Sequence, residues 1–345
     1  MIITYFRSSS YNTHSMCEQQ YFGEYVLGWR GPSGQKADKG TIVHKVLEIL
    51  AVIQKAKQDN KTTVVDDIVG DILIDQYNLD VLIDKVYAHY SSVADHHKWS
   101  AKDLKDCREW VNKAISFNKG MFDPRNRFIL CPEQHFDFEI TKPWSKYSYK
   151  TADGTISGNL ALKGTIDLIT CVNDKTIEII DWKTGKRLDW ATGQEKTQEK
   201  LEKDPQLRIY HYAISKLYPD IDHIIFSIYF INDGGPFSIC FDKSDLIETE
   251  DMLRKKFEHI KKNTKPKLNK SWMCNKLCYF GKTTFENTSV LPILEYRDGQ
   301  IVEKGKFMTK CEQIRHDLEL DGMDQVVKTY KHPNHSFGYY EAPGK

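Results

Sequence analysis

Apolar residues recur at three- and four-residue spacing through Val43, Val46, Leu47, Leu50 and Ile53, so the stretch after Gly40 is predicted to be an amphipathic helix with one buried face. Residues 1–35 mix Tyr, Ser and Gly without a clear period. A second helical region is expected over about residues 66–120, where Ile72, Leu73, Leu82, Ile83, Val86 and Tyr87 precede Leu104, Trp110, Val111 and Ile115. Between Phe128 and Phe241 the pattern changes to short β-rich runs (RFILC, HFDFEI, LALKGTIDLITCV, KTIEIIDWKTG, HIIFSIYFI) broken by Gly and Asn-Asp turns. One helix interrupts them from Asp204 to about Leu217, with Asp204 as N-cap and Pro205 at the first helical position, where its missing N–H costs nothing. Strand, strand, strand, helix, strand predicts an α/β fold: a mixed central sheet with flanking helices, behind a mainly helical N-terminal region. The expected segments are a helical region at 1–125, an α/β core at 126–262 and a basic, cysteine-containing segment at 263–345 that packs back on the core.

Composition narrows the class. With 40% hydrophobic, 28% charged and 12% aromatic residues, the 345-residue chain reads as globular and excludes collagen-like, coiled-coil and disordered readings. The longest apolar runs, Ile224 to Ile231 and Val46 to Ile53, fall short of the ~18 residues of a membrane span. MIITYFRSSS has no secretion-signal pattern, so no membrane association and a cytoplasmic location are expected. Eight cysteines are too sparse for a secreted disulfide scaffold, which leaves structural thiols or metal ligands. Of these, Cys107, Cys131, Cys171 and Cys240 read as core residues.

The formal net charge of +1 conceals a basic run. From Arg254 to Lys282, one Arg and nine Lys face a single Glu, a net +9 in 29 residues. Such a run can follow a phosphate backbone, or can simply be a solvated helix end and loop. There is no G-x-x-x-x-G-K-[ST] loop and no G-x-S-x-G elbow, so neither P-loop ATP hydrolysis nor elbow-type serine chemistry is expected.

The informative stretch is Lys163 to Lys186, KGTIDLITCVNDKTIEIIDWKTGK, which reads as a hairpin. With Asn173, Asp174 and Lys175 as a short loop, Asp167 and Asp181 lie seven residues to either side of its centre and face each other across two strands. Strand alternation sends Ile177, Ile179, Asp181 and Lys183 to one face and Glu178, Ile180 and Trp182 to the other. Facing carboxylates repel unless one is protonated or a cation lies between them, and a hard divalent ion is the economical answer. A lysine two residues beyond the second carboxylate completes what phosphodiester hydrolysis requires: metal-polarised phosphate, activated water and a group to position it. Taken alone, D-x-K is more often an exposed strand end; the paired geometry argues for chemistry. Gln206 and Tyr210, four apart, share a helix face that Ala213 and Leu217 continue toward the core. By position alone Tyr210 could be a packed aromatic and His44 a core histidine. Glu139 is a weaker candidate acid, and His316, His332 and His335 lack ligand spacing.

These residues resemble a family. Gly164-Thr-Ile-Asp167, Ile180-Asp-Trp-Lys-Thr-Gly185 and Gln206-Leu-Arg-Ile-Tyr210 resemble the G-x-x-D, D-x-K-T-G and Q-x-x-x-Y motifs of the RecB-like branch of the PD-(D/E)XK nuclease superfamily. Gly40-Thr-Ile-Val-His44 resembles the branch's upstream histidine motif, and Ser8 to Tyr25 is similar to its opening segment. Ile166 departs from the proline of the superfamily's name. The resemblance implies a restriction-endonuclease-like core. Asp167, Asp181 and Lys183 would be catalytic, with Gln206 and Tyr210 at the lysine or the DNA strand. Mg²⁺ or Mn²⁺ would be held by His44, Asp167, Asp181 and the Trp182 backbone carbonyl. The AddB subunit and CRISPR-associated adaptation nucleases of this branch hold an iron-sulfur cluster on one N-terminal and three C-terminal cysteines. Cys17, Cys274, Cys278 and Cys311 are similar to that plan and would suit a [4Fe–4S] cluster or Zn²⁺, although Cys311 lies 33 residues beyond Cys278. The implied activity is an exonuclease on DNA ends or single strands in recombination, repair or phage DNA processing, in a bacterial or phage-infected cell. A helicase, single-strand-binding protein or recombinase would be its partner. An end-binding scaffold and a structure-selective endonuclease are the alternatives.

Overall fold

The structure, a computed structural model, describes residues 1–151, 154–188, 194–285, 294–303 and 308–336. In chain order its first elements are β1 (Tyr5–Phe6), α1 (Ser8–Met16), α2 (Glu18–Tyr21), α3 (Gln35–Gln58), β2 (Thr63–Asp66), β3 (Gly70–Leu73), α4 (Leu79–Val93) and α5 (Ala101–Ser116). Then follow β4 (Ile129–Glu139), β5 (Lys146–Thr151), β6 (Gly154–Asn159), β7 (Ala161–Asn173), β8 (Thr176–Lys183), α6 (Gln198–Glu202), α7 (Pro205–Leu217), β9 (His223–Phe230) and β10 (Gly235–Asp242). The last are α8 (Leu246–Lys262), α9 (Met273–Lys276), α10 (Tyr279–Lys282), β11 (Leu294–Arg297), β12 (Gln300–Glu303), α11 (Lys310–Leu320) and α12 (Gly322–Tyr330). Among the described residues no helix is long and apolar enough to cross a membrane.

The chain divides into two compact units. Ser33–Phe136 with Gly164–Glu250 form one, the hairpin unit; Met1–Pro32, Asp137–Lys163 and Asp251–Lys345 form the other, the cysteine unit.

In the hairpin unit β7 pairs antiparallel with β8, β8 parallel with β9, and β9 antiparallel with β10, a mixed sheet. The parallel step from β8 to β9 needs a crossover, and α6 and α7 supply it. Val43, Val46, Leu47, Leu50 and Ile53 of α3 are all buried, together with Ile83 and Val86 of α4 and Val111 of α5, in one cluster with Leu168, Ile180, Trp182 and Tyr229 of the sheet. Each such side chain contributes ~1.5–3 kcal/mol of burial, which fixes α3 firmly against the sheet. Helix α7 begins as expected: Asp204 accepts a hydrogen bond from the Gln206 amide at 2.9 Å and Pro205 follows the cap.

Three expectations are corrected here. Residues 66–120 are not helical throughout, because Thr63–Asp66 and Gly70–Leu73 pair as a hairpin with Val64 opposite Ile72. Asp66 turns the chain by accepting from the amides of Ile68 and Val69, and Gly70 takes φ +81. Leu217 does not continue the α7 stripe into the core, being 41% exposed at the helix end. Of the four cysteines read as core, only Cys107 is buried; Cys131 and Cys171 are half-buried and Cys240 is exposed on β10, whose alternation turns it outward between Ile239 and Phe241.

In the cysteine unit β1 runs parallel to the first residues of β7, with Tyr5 opposite Ala161 and Phe6 opposite Leu162. Phe22, Phe257, Phe280 and Ile314 are fully buried there. Helix α1 is Ser-rich with no apolar stripe, which explains why no period marks this part of residues 1–35.

Candidate active site

The β7–β8 register brings the two carboxylates together. Leu168 stands opposite Ile180, Ile169 opposite Ile179, Thr170 opposite Glu178 and Cys171 opposite Ile177. Continued by one step, that register sets Asp167 across from Asp181, just past its last pair. The expected three-residue loop is replaced by a tighter turn closed by Asn173 opposite Thr176, and the register shift between Cys171 and Asn173 leaves Val172 as an extra residue. A two-residue turn alone would slip the strands by one; the bulge at Val172 restores the alignment.

Alternation along β8 sends Ile180 and Trp182 into the helical core and Asp181 toward α7. There the Gln206 side-chain amide donates to Asp181 Oδ1 at 2.9 Å and to the Tyr210 hydroxyl at 3.0 Å. Tyr210 in turn donates to the Thr165 carbonyl at 2.7 Å, tying α7 to β7 inside the G-T-I-D segment. Asp167 Oδ2 accepts from the Trp182 amide at 3.0 Å and lies 3.3 Å from His44 Nδ1. His44 reaches it from α3, whose Gly40 one turn earlier lies against Thr184: a Cβ at Gly40 would come within 2.7 Å of Thr184 Oγ1. Gly164 is likewise required, because a Cβ there would meet the Phe136 ring at 2.5 Å.

The charges are mutually dependent. Burial disfavours every charge here, yet the Asp167 carboxylate beside His44 raises the imidazolium above the ordinary histidine value. Asp167 is held low despite burial, by His44 first and then by Lys183. Lys183 is raised, because Asp181 and Asp167 outweigh its desolvation. Of the two carboxylates it is Asp181 that is pushed upward, by burial and then by the neighbouring Asp167 charge. Its Oδ2 lies 2.6 Å from Lys183 Nζ, an ion pair that opposes this rise. A buried carboxylate, a second carboxylate across from it and an imidazole within reach form a hard donor set that fits a divalent cation such as Mg²⁺ or Mn²⁺.

His44, Asp167, Asp181, Lys183, Gln206 and Tyr210 are thus brought together in the hairpin unit, and Trp182 contributes its amide to Asp167. One participant carries no sequence signal, the Thr165 carbonyl, and Thr184 stands in the D-x-K-T-G motif without a role assigned to it. Glu139 lies in the cysteine unit, exposed and bonded by Asn159. Cys17, Cys274, Cys278 and Cys311 line one cavity of about 30 Å³ in the cysteine unit. Burial pushes the Cys311 thiol up to about 12, and Cys17, Cys278 and Cys274 are near enough to raise it further. The Ser271 amide donates to Cys274 Sγ at 3.4 Å, and that Sγ donates to the Asn269 carbonyl at 3.8 Å. His316 is paired with Asp317, and His332 stacks edge-on against Trp29.

A family model described as the PD-(D/E)XK nuclease superfamily matches residues 8–279. A solved structure described as a candidate exonuclease from Eubacterium rectale is similar at TM-score 0.45 and 10% identity, covering 83% of this chain and 91% of that one. No curated protein matches.

Proposed function

The chain belongs to the PD-(D/E)XK nuclease superfamily, and from that premise we propose that it is a metal-dependent deoxyribonuclease of the RecB-like branch that degrades DNA from its ends. The mixed sheet with helices packed on it is the restriction-endonuclease-like core of that superfamily. The observation that carries the proposal is the proximity of Asp167 and Asp181 across β7 and β8, with Lys183 on Asp181, Gln206 of α7 holding Asp181 and His44 of α3 beside Asp167.

Asp167 and Asp181 would hold Mg²⁺ or Mn²⁺, with His44 and the Trp182 carbonyl completing the site; bound there, the ion supplies Lewis acidity to the scissile phosphate and lowers the pKa of water. Gln206 holds Asp181 through Oδ1, which sets Oδ2 toward Lys183. Tyr210 fixes Gln206 and, through the Thr165 carbonyl, ties that geometry to the strand. Lys183 keeps its proton under the influence of both carboxylates, so its ammonium orients a phosphate oxygen or the attacking water.

The four cysteines around their shared cavity would hold a [4Fe–4S] cluster or Zn²⁺, joining the first helices of the cysteine unit to its last. Protein purified without oxygen should then carry iron or zinc; absence of both metals from wild-type protein would remove this part. A helicase, single-strand-binding protein or recombinase that generates or protects DNA ends is the proposed partner.

The test is cleavage of end-labelled linear DNA, single- and double-stranded, beside a covalently closed circle, in Mg²⁺, Mn²⁺ or EDTA. Metal-dependent loss of linear DNA alone, abolished by Asp181→Ala, is expected. Cutting of the closed circle would replace the exonuclease with an endonuclease. DNA bound but uncut in every lane would leave an end-binding scaffold.

A further inference from the structure

The basic run acquires a location in the cysteine unit. Lys255, Lys256 and Lys267 line, with Tyr11, Ser15 and Asn269, a cavity of about 650 Å³. Lys256 is the informative member. Its Nζ donates to Ser15 Oγ at 2.7 Å, contacts His14 Nδ1 at 3.2 Å and lies 4.6 Å from the centre of the Tyr11 ring. All three partners are neutral. His14 is 4% exposed. Its burial, with the ammonium beside it, lowers its pKa to about 4, so it carries no charge at neutral pH. With Nδ1 accepting from Lys256, the His14 proton sits on Nε2, a buried atom without a hydrogen-bond partner.

The nearby carboxylates are already engaged. Glu18 accepts from His259 at 2.9 Å, from the Asn263 side chain at 2.8 Å and from the Lys267 amide at 2.9 Å. Asp251 is taken by Lys255 at 2.6 Å. Among the described residues Lys256 therefore has no carboxylate within ion-pair distance. Burial lowers its pKa to about 8, which still leaves it mostly protonated at neutral pH. A half-buried ammonium that faces an open cavity and has only neutral partners there is a ready site for an anion.

A cation is the competing ligand, because ligand atoms of His14, Glu18 and His259 lie within 4.8 Å of one another. The Lys256 ammonium beside His14 repels such an ion, and both Glu18 oxygens are already hydrogen-bonded. The geometry favours an anion.

We propose that this cavity binds a phosphate group of a nucleic-acid strand, with Lys256 Nζ as first donor, the exposed Lys267 at its rim, and the Ser15 hydroxyl, which donates to the Tyr11 carbonyl at 3.0 Å in the free protein, turning to the phosphate as second donor. The phosphate chemistry stands on the cavity itself; its assignment to a strand rests on the nuclease reading above.

The test uses the full chain in EDTA, where no cleavage occurs. Binding of a labelled single-stranded oligonucleotide is measured across a salt series for wild type, Lys256→Met and Ser15→Ala. Thermal melting is followed with inorganic phosphate against chloride at matched ionic strength. Lys256→Met should bind about tenfold more weakly, with a salt slope smaller by about 0.7, and should lose the phosphate-induced rise in melting temperature that wild type shows. Met keeps the aliphatic stem and removes an uncompensated charge, so the variant should fold; if it does not, Ser15→Ala carries the test, with a smaller change in the same direction. Equal affinity and slope in all three proteins would overturn the assignment to a strand. Phosphate-dependent melting with unchanged DNA binding would make it a free-phosphate pocket, and neither effect would remove the site. The nuclease reading is judged separately by Mg²⁺-dependent cleavage with wild type: a protein that cuts DNA but binds equally well as Lys256→Met loses only the pocket, and one that cuts nothing while Lys256→Met loses affinity loses only the nuclease.

Discussion

Gln206 contributes no charge, yet one amide nitrogen serves two groups, Asp181 Oδ1 and the Tyr210 hydroxyl. Removing it leaves a buried carboxylate oxygen and a buried hydroxyl each short of a partner, a loss of ~1–3 kcal/mol at the group concerned. If that loss falls on the reacting geometry, Gln206→Ala should lower single-turnover cleavage about tenfold to a hundredfold while DNA affinity in EDTA stays within a few-fold. Gln206→Glu should be worse still, since it sets a third carboxylate against Asp181 and Asp167. A fully active Gln206→Ala would show that α7 only packs against the strands. This pair was legible in the sequence because four-residue spacing on a helix leaves no freedom about facing. The Thr165 carbonyl and the Trp182 amide were not legible, because every residue type carries the same backbone groups and only the fold decides which are within reach.

At the scale of the elements, the hairpin shows a compensation that residue patterns do not reveal. The facing of Asp167 and Asp181 follows from counting outward from the turn, but the observed turn is one residue shorter than the expected one, and the Val172 bulge takes up the difference. Helix α3 was legible from its apolar period, and the β2–β3 hairpin was not, because runs as short as Val64–Val65 and Ile72–Leu73 suit a strand or a helix equally. Gly40 belongs to the same scale. Exchanging a helical glycine for alanine ordinarily stabilises by ~1 kcal/mol, but here the added methyl would meet Thr184 Oγ1 at 2.7 Å. Either α3 moves, carrying His44 away from Asp167, or Thr184 rotates. Gly40→Ala is expected to keep its helix content and lose at least tenfold in metal-dependent cleavage, and Thr184→Ala in the same chain should recover part of the loss. Full activity of Gly40→Ala alone would show that α3 tolerates the shift and that the position of His44 is not set there.

Across the whole molecule, buried histidines couple stability to acidity in both units. His211 of the hairpin unit is 1% exposed and stacked near Phe241; burial lowers its pKa to about 4, with Asp245 and Asp242 opposing the fall and Arg208 reinforcing it. His14 of the cysteine unit is lowered to about 4 by burial and then by Lys256, with Glu18 opposing and His259 adding. In the unfolded chain each would titrate near ~6.5. The unfolded state therefore binds more protons than the folded state between those values, so folding stability rises with pH across that window. Above ~6.5 each contribution is fully present; as pH falls toward the folded values it is lost, by up to ~3 kcal/mol per histidine. Melting temperature in phosphate-free buffer should fall steadily as pH drops from ~6.5 to ~4, and His211→Phe, which keeps an aromatic ring against Phe241, should flatten the part of the decline that belongs to the hairpin unit. A pH profile of His211→Phe that parallels wild type would mean that carboxylate protonation, including that of the paired Asp167, governs acid unfolding instead. Phosphate bound beside Lys256 would favour the protonated form of His14, so adding it should shallow the acid decline of wild type but not that of Lys256→Met.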